Sequence, residues 1–330
     1  MRTLRELGEF GLIDRLERFL PTSPLVVEGI GDDCAVLRVG DRLLLASTDL
    51  FVEGTHFRRD WSTPEDIGWK AAAASLSDIA AMGGAPQFCL TSIACPADTP
   101  SALIEEIYQG ISSAVSRFGA VIVGGDTTSA ASGIMLDVIV LGEAPGKSYV
   151  PRHGAELGDA IVVTGRCGMS AAGLHALRHR HDAPELITAH QRPAPRISEG
   201  QWLSRRGVHA MIDISDGVLQ DLGHIAAFSY LGIDINLAGI PIAEPLREYC
   251  EQHGLNAQQL YLNGGEDYEL AFAAPAGEID ALLQAFHHEF RLETTVIGIV
   301  TDKWLGVRVD GVAADSSGFD HFKSDKERGA

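Results

Sequence analysis

Six short acidic clusters punctuate the chain, each set beside glycine, serine or threonine, and most follow an apolar, strand-like run. They are Gly31-Asp32-Asp33, Ser47-Thr48-Asp49, Ser77-Asp78, Gly124-Gly125-Asp126, Asp213-Ile214-Ser215-Asp216 and Gly264-Gly265-Glu266-Asp267. A chain patterned this way folds as a succession of strands and helices whose ends carry carboxylates. The small neighbours let backbone come close to whatever those carboxylates hold. Taken one at a time, each cluster reads as a solvated turn, because Asp and Gly dominate turns. Taken together, the six suit hard divalent cations that bridge to phosphate, which points to a polyphosphate site assembled through Mg²⁺.

Charge narrows the partners. A net charge of −19 over 330 residues lacks the basic footprint that nucleic acid requires. An acidic protein that handles phosphates must neutralise itself locally, and bound Mg²⁺ does that. Surplus Asp and Glu also keep a protein soluble, and both readings hold together. The cysteines (Cys34, Cys89, Cys95, Cys167 and Cys250) are odd in number and form no CxxC pair, as expected in a reducing cytoplasm. The first residues lack the apolar stretch of a signal peptide, and no run approaches the roughly 18 apolar residues of a membrane span. A cytoplasmic protein that meets neither membrane nor nucleic acid is the expectation.

The length allows two domains of ordinary size, each with its own core. Leu4, Leu7, Ile13, Leu16 and Leu20 stand at helical spacing ahead of Pro21. The runs 34–39 and 42–47, joined by Gly40-Asp41, form a hairpin. Residues 63–82 form a helix with Pro64 in its first turn and Gly83 ending it. Asp78 falls in its last turns, where a carboxylate opposes the helix dipole unless a cation compensates. Strands are expected at 88–94, 121–123 and 134–141, and a helix at 100–118. A linker spans 143–151. Beyond it come strands at 160–164, 210–214, 233–237, 268–274, 295–300 and 307–310, with helices near 170–180, 195–206 and 216–230. The strands alternate only in part, as in sheets with one face covered by helices. The fold class is therefore α/β (α+β), with an N-terminal domain over 1–147 and a C-terminal mixed α/β domain over 148–330.

Some local patterns mislead. Gly146-Lys147-Ser148 looks like the end of a phosphate-binding loop, but Leu141 stands where its first glycine belongs, and Pro151 stops the helix that must follow. Thr164-Gly165-Arg166-Cys167-Gly168-Met169 resembles a dinucleotide turn with its third glycine misplaced, and reads better as an ordinary strand-to-helix turn. His175, His179 and His181 lack a further ligand nearby in sequence, so a solvated helix face is the simpler account.

In order along the chain, the segments Gly29–Ala35, Ser47–Asp49, Glu53-Gly54-Thr55-His56-Phe57, Leu76–Gly83, Gly124–Thr128, Asp213–Gly217, Asp221–Ile225, Gly264–Leu270 and Gly318-Phe319-Asp320-His321-Phe322 resemble the thiamine-monophosphate kinase family. That family sits within the broader aminoimidazole ribonucleotide synthetase-like group of ATP-using enzymes. The resemblance implies ATP-dependent phosphorylation of thiamine monophosphate to thiamine diphosphate. It implies that Asp33, Ser47, Thr48, Asp49, Asp78, Asp126, Asp213 and Asp216 hold several Mg²⁺ ions. It assigns Gly125, Asp126, Arg152 and Ser215 to ATP and His56, Glu266 and Phe319 to the acceptor. It further implies a homodimer whose N-terminal sheets join into a barrel. No protein nucleophile or base is expected, because the acceptor is a phosphate monoester with a second pKa of about 6. Two alternatives stay open: another enzyme of the same group, and a non-catalytic nucleotide or thiamine-phosphate binder. Against a selenophosphate synthetase, residues 1–28 contain neither Cys nor Lys.

Overall fold

The computed structural model describes residues 3–314, 321 and 322, and two mixed sheets organise them. The chain opens with α1 (Leu4–Glu17), which Thr3 and Glu6 start by a reciprocal capping box and which kinks at Gly8. There follow β1 (Val26–Glu28), β2 (Ala35–Val39), β3 (Arg42–Val52), α2 (Pro64–Ala81), β4 (Ala85–Cys95), α3 (Ser101–Arg117), β5 (Val121–Ser129) and β6 (Met135–Glu143). The second half contains β7 (Asp159–Thr164), α4 (Met169–His179), α5 (Pro184–Gln191), α6 (Ile197–Ser204), β8 (Ala210–Asp213), α7 (Val218–Ser229) and β9 (Gly232–Ile235). It closes with α8 (Glu244–His253), α9 (Ala257–Asn263), β10 (Leu270–Pro275), α10 (Ile279–Phe290), β11 (Thr294–Thr301), β12 (Gly306–Val309) and β13 (Val312–Ala313).

The first sheet runs β1-β2-β3-β6-β4-β5, antiparallel except for the β4–β5 pair, which needs the α3 crossover because it is parallel. The second runs β13-β12-β9-β11-β7-β10-β8, with only β12 and β9 parallel. The α/β class with mixed sheets is borne out. The strand at 121–123 extends to Ser129, so Gly124-Gly125-Asp126 lies inside an edge strand and not in a turn. A Cβ on Gly125 would sit 1.8 Å from the Thr91 carbonyl oxygen, so close strand pairing requires glycine there.

Helix α2 sits at the centre. Thr63 caps it by accepting from the Asp66 N–H at 3.2 Å, Pro64 fills the first turn, and Gly83 leaves it with φ +68. Its Ala71–Ala74 run is buried, and the helix packs on β3, β6, α3, α6 and β8 at once. Such all-round burial explains its apolar, small-residue composition. Where α2 meets α3, Gly68 and Gly110 remove the side chains that would hit the opposite backbone. The largest core is common to both halves: Leu76, Ile79 and Val138 share it with Val162, Met211 and Phe272. The expectation of a separate core for each half therefore gives way to a shared one, because α2 presents apolar surface to both sheets. A second core, around Ile161, Ile212 and Ile225, lies on the other face of the second sheet.

Candidate active site

Strand alternation decides which parts of Ser47-Thr48-Asp49 face α2. Ser47 and Asp49 point inward, where the Ser47 hydroxyl donates to Asp78 and the Ser75 hydroxyl donates to Asp49 at 2.7 Å. Thr48 points to the opposite face and donates to Asp137 at 2.7 Å, so its side chain does not join the others. Asp33, at the entry to β2, Asp78, in the last turn of α2, and Asp213, at the end of β8, converge from both halves. They offer one oxygen each, all within 4.8 Å of one another. Asp33 and Asp213 are buried and Asp78 is half-buried.

Three carboxylates this close repel one another when ionised, which adds to the effect of burial. Burial, then the Asp33 charge, pushes Asp213 up to about 8. Burial, then Asp49 and Asp213, raises Asp78 well above the usual carboxylate range. Burial also raises Asp49. Arg152 compensates in part: its Nη2 donates to Asp33 at 2.6 Å, and its backbone N–H donates to Asp32 at 3.1 Å. Even so, among the described residues Asp33 Oδ2 and both oxygens of Asp213 are buried outside hydrogen-bond geometry, with the Ser77 hydroxyl the polar group near Asp213. Buried polar atoms are normally paired, so an all-oxygen set with orphaned lone pairs suits a hard cation such as Mg²⁺.

The remaining sequence-derived positions fall in three places. Ser215 and Asp216 sit on the loop before α7, which Asp221 holds by accepting from the backbone N–H groups of residues 215, 216 and 217 at 3.1, 3.2 and 3.0 Å. Burial, then Glu9, raises Asp216 to about 6. Gly125 and Asp126 lie exposed on edge strand β5, outside the Asp33–Asp78–Asp213 group. His56 and Glu266 fall in a third group, and Phe319 lies outside the described residues.

That third group contains residues sequence reasoning missed. His56 Nδ1 accepts from the Val52 N–H at 3.0 Å, its ring stacks on Phe51, and His321 lies 4.9 Å away centre to centre. Burial lowers His56 to about 4. Glu266 adopts φ +63 and pairs with Lys70 at 2.8 Å, beside His190. Lys70 carried no signal, since a lone lysine in an alanine-rich helix looks like a solvated one. Asp221 stood within a matched segment but had no assigned role. Half-buried Arg196 and buried Glu269 form a further pair, joined by the Thr164 hydroxyl at 2.7 Å, which ties α6 to the segment entering β10.

Comparison with known proteins agrees with this architecture. The model of the AIR synthase related protein N-terminal domain matches residues 31–144, and that of the C-terminal domain matches 156–310. The chain is 40% identical over 327 residues to thiamine-monophosphate kinase of Escherichia coli, covering 96% of this chain and 98% of that one. It is 36% identical over 324 residues to the Aquifex aeolicus protein of the same name, covering 97% and 99%. A solved structure described as AaThiL complexed with AMPPCP and TMP superposes with a TM-score of 0.87 at 35% identity, over 97% of this chain and 99% of that one. The chain belongs to the thiamine-monophosphate kinase family, built from the two AIR synthase related domains.

Proposed function

We propose that the protein transfers the terminal phosphoryl group of ATP to thiamine monophosphate, giving thiamine diphosphate and ADP in a Mg²⁺-dependent, direct in-line reaction. The observation that carries this reading is the buried Asp33–Asp78–Asp213 group with its orphaned oxygens, set beside Arg152. The relatives named thiamine-monophosphate kinase support the choice of acceptor.

The chemistry asks little covalent work of the chain. The acceptor monoester is mostly dianionic at neutral pH, so its oxygen is already a nucleophile and no base is required. The barrier lies in bringing two anions together, and phosphoryl transfer depends mainly on alignment and charge neutralisation. Bound Mg²⁺ supplies that neutralisation at the phosphate oxygens. Asp33, Asp78 and Asp213 are the carboxylates to hold it, with Ser47 and Asp49 adjoining them, Asp216 on the neighbouring loop, and Thr48 and Asp126 assigned by the family resemblance alone. Arg152 adds a fixed cation toward ATP, with Gly125 and Ser215 as further contacts. His56 and Glu266 take the acceptor, together with Phe319, whose ring suits the cationic thiazolium.

We further assign residues 1–147 to ATP binding and dimerisation and 148–330 to completing the site. The exposed apolar residues Leu50, Phe88, Val121, Val123 and Met135 on the first sheet support a homodimer. The five free cysteines fit a cytoplasmic setting, which cell fractionation would check. Incubating the protein with ATP, Mg²⁺ and thiamine monophosphate should yield thiamine diphosphate and ADP in equal amounts. Binding of both substrates with no product would overturn the assignment, and a monomer mass by light scattering would overturn the pairing.

A further inference from the structure

Lys70 lies in the second turn of α2 with its side chain only 5% exposed. Lysine is almost never buried without a partner, and here the partners are specific. Its Nζ stands 2.8 Å from Glu266 Oε1, and 3.1 and 3.4 Å from His190 Nε2 and Nδ1. An ammonium group only donates, so Glu266 and a ring nitrogen of His190 are its acceptors. His190 Nδ1 in turn stands 3.0 Å from the Ser170 hydroxyl. Ser170, His190, Lys70 and Glu266 thus form one buried polar chain, from a hydroxyl at the start of α4 to a carboxylate in the loop before β10.

Glu266 is held by its backbone as well. Its φ of +63 is uncommon for a residue with a side chain, and its N–H donates to the Ser215 carbonyl at 2.8 Å. Burial alone would raise its carboxyl, but the Lys70 ammonium group outweighs burial and keeps it below the ordinary value. His56, close enough for its charge to act on Glu266, uses Nδ1 to accept from Val52, so the proton of its neutral ring is on Nε2. An acceptor and a donor are thereby each held by residues behind them.

We propose that Lys70, backed by His190 and Ser170, is a positioning residue that fixes the Glu266 carboxylate as a hydrogen-bond acceptor for the amino group of an aminopyrimidine-bearing acceptor. This inference rests on the reading that Glu266 and His56 face the acceptor. An isolated carboxylate in that place would attract any cation. One already balanced by an ammonium group discriminates by hydrogen bonding, and such sites reject analogues that lack the matching donor.

The test uses the full chain. Lys70→Met should raise the KM and the Kd for thiamine monophosphate by roughly ten- to a hundredfold while the KM for ATP stays within about twofold. Because it leaves Glu266 buried without its cation, Lys70→Met risks misfolding, so Glu266→Gln and Lys70→Met/Glu266→Gln form a second comparison. If Lys70 acts through Glu266, these two should share the same thiamine monophosphate Kd within about twofold. Lys70→Met that loses thermal stability but keeps the wild-type acceptor Kd overturns the inference. So does a double variant binding more than about fivefold more weakly than Glu266→Gln, since Lys70 would then act independently. Wild-type protein that binds thiamine monophosphate without phosphorylating it overturns the kinase reading alone, and the same Kd comparisons still decide the role of Lys70.

Discussion

Asp213 shows how one residue couples stability to ligand. Its carboxyl, raised by burial and Asp33 from 3.8 to about 8, is protonated in the metal-free fold at pH values where the unfolded chain has already ionised. The folded state then binds more protons than the unfolded one, so stability falls as pH rises toward 8. Asp267, raised to about 8 chiefly by burial, acts in the same direction. The buried histidines work oppositely, but only below their ordinary value of 6.5, since His56 and His190 are lowered to about 4 and 3. The window free of the histidines is pH 6.5 to 8. In chelator, the urea midpoint should decrease across that window, and saturating Mg²⁺ should flatten the decrease; a midpoint that climbs in chelator refutes this assignment. Asp78→Asn should lower turnover on the order of a hundredfold or more, because several kcal/mol of transition-state charge stabilisation go with the ligand. The same change puts a neutral amide where burial and neighbouring carboxylates already oppose ionisation, so the thermal midpoint without metal should not drop. Near-normal turnover would take Asp78 out of the site.

At the scale of elements, α2 was legible from sequence because Pro64 in its first turn and Gly83 after its last mark both ends. Its partner contact was not legible. A Cβ on Gly68 would lie 1.9 Å from the Ile107 carbonyl oxygen, and one on Gly110 would lie 2.1 Å from that of Glu65. Gly68→Ala should therefore destabilise the fold by about 2 kcal/mol despite the better helix propensity of alanine, as urea unfolding would measure. A neutral result would mean that the helices can part at no cost. Helices α5, α8, α9 and α10 escaped sequence reading. The first three are short, and their apolar faces are satisfied by tertiary neighbours, as where Leu186 of α5 shares a cluster with Leu246 of α8. The pattern of β3 was read only as far as Ser47, although the strand runs to Val52. That extension puts Thr48 and Asp49 on opposite faces of one strand.

For the whole molecule, the shared core decides behaviour more than the linker does. Residues 143–151 have the composition of a domain boundary, yet Trp69 donates to the Pro193 carbonyl at 2.9 Å, and Gly200 of α6 lies against the backbone of α2 at Ala80. A chain whose main core takes side chains from both halves should unfold in one cooperative step. Calorimetry should give a single transition with matching calorimetric and van't Hoff enthalpies, and two resolved transitions would contradict the common core. The acidic group depends on the same union, because Asp33 and Asp78 come from one half and Asp213 from the other.

The sequence by itself determined the class of fold, the run of most strands and longer helices, and the kinds of side chain at the site. These follow from local periodicity, capping and the chemistry of oxygen ligands, all of which act over a few residues. Only the tertiary structure decided which carboxylates meet, that Thr48 turns away from them, and that a buried lysine stands behind Glu266. Those outcomes depend on strand register and on helix packing across more than a hundred residues, where solvent exclusion and charge repulsion act between groups that no local pattern brings together.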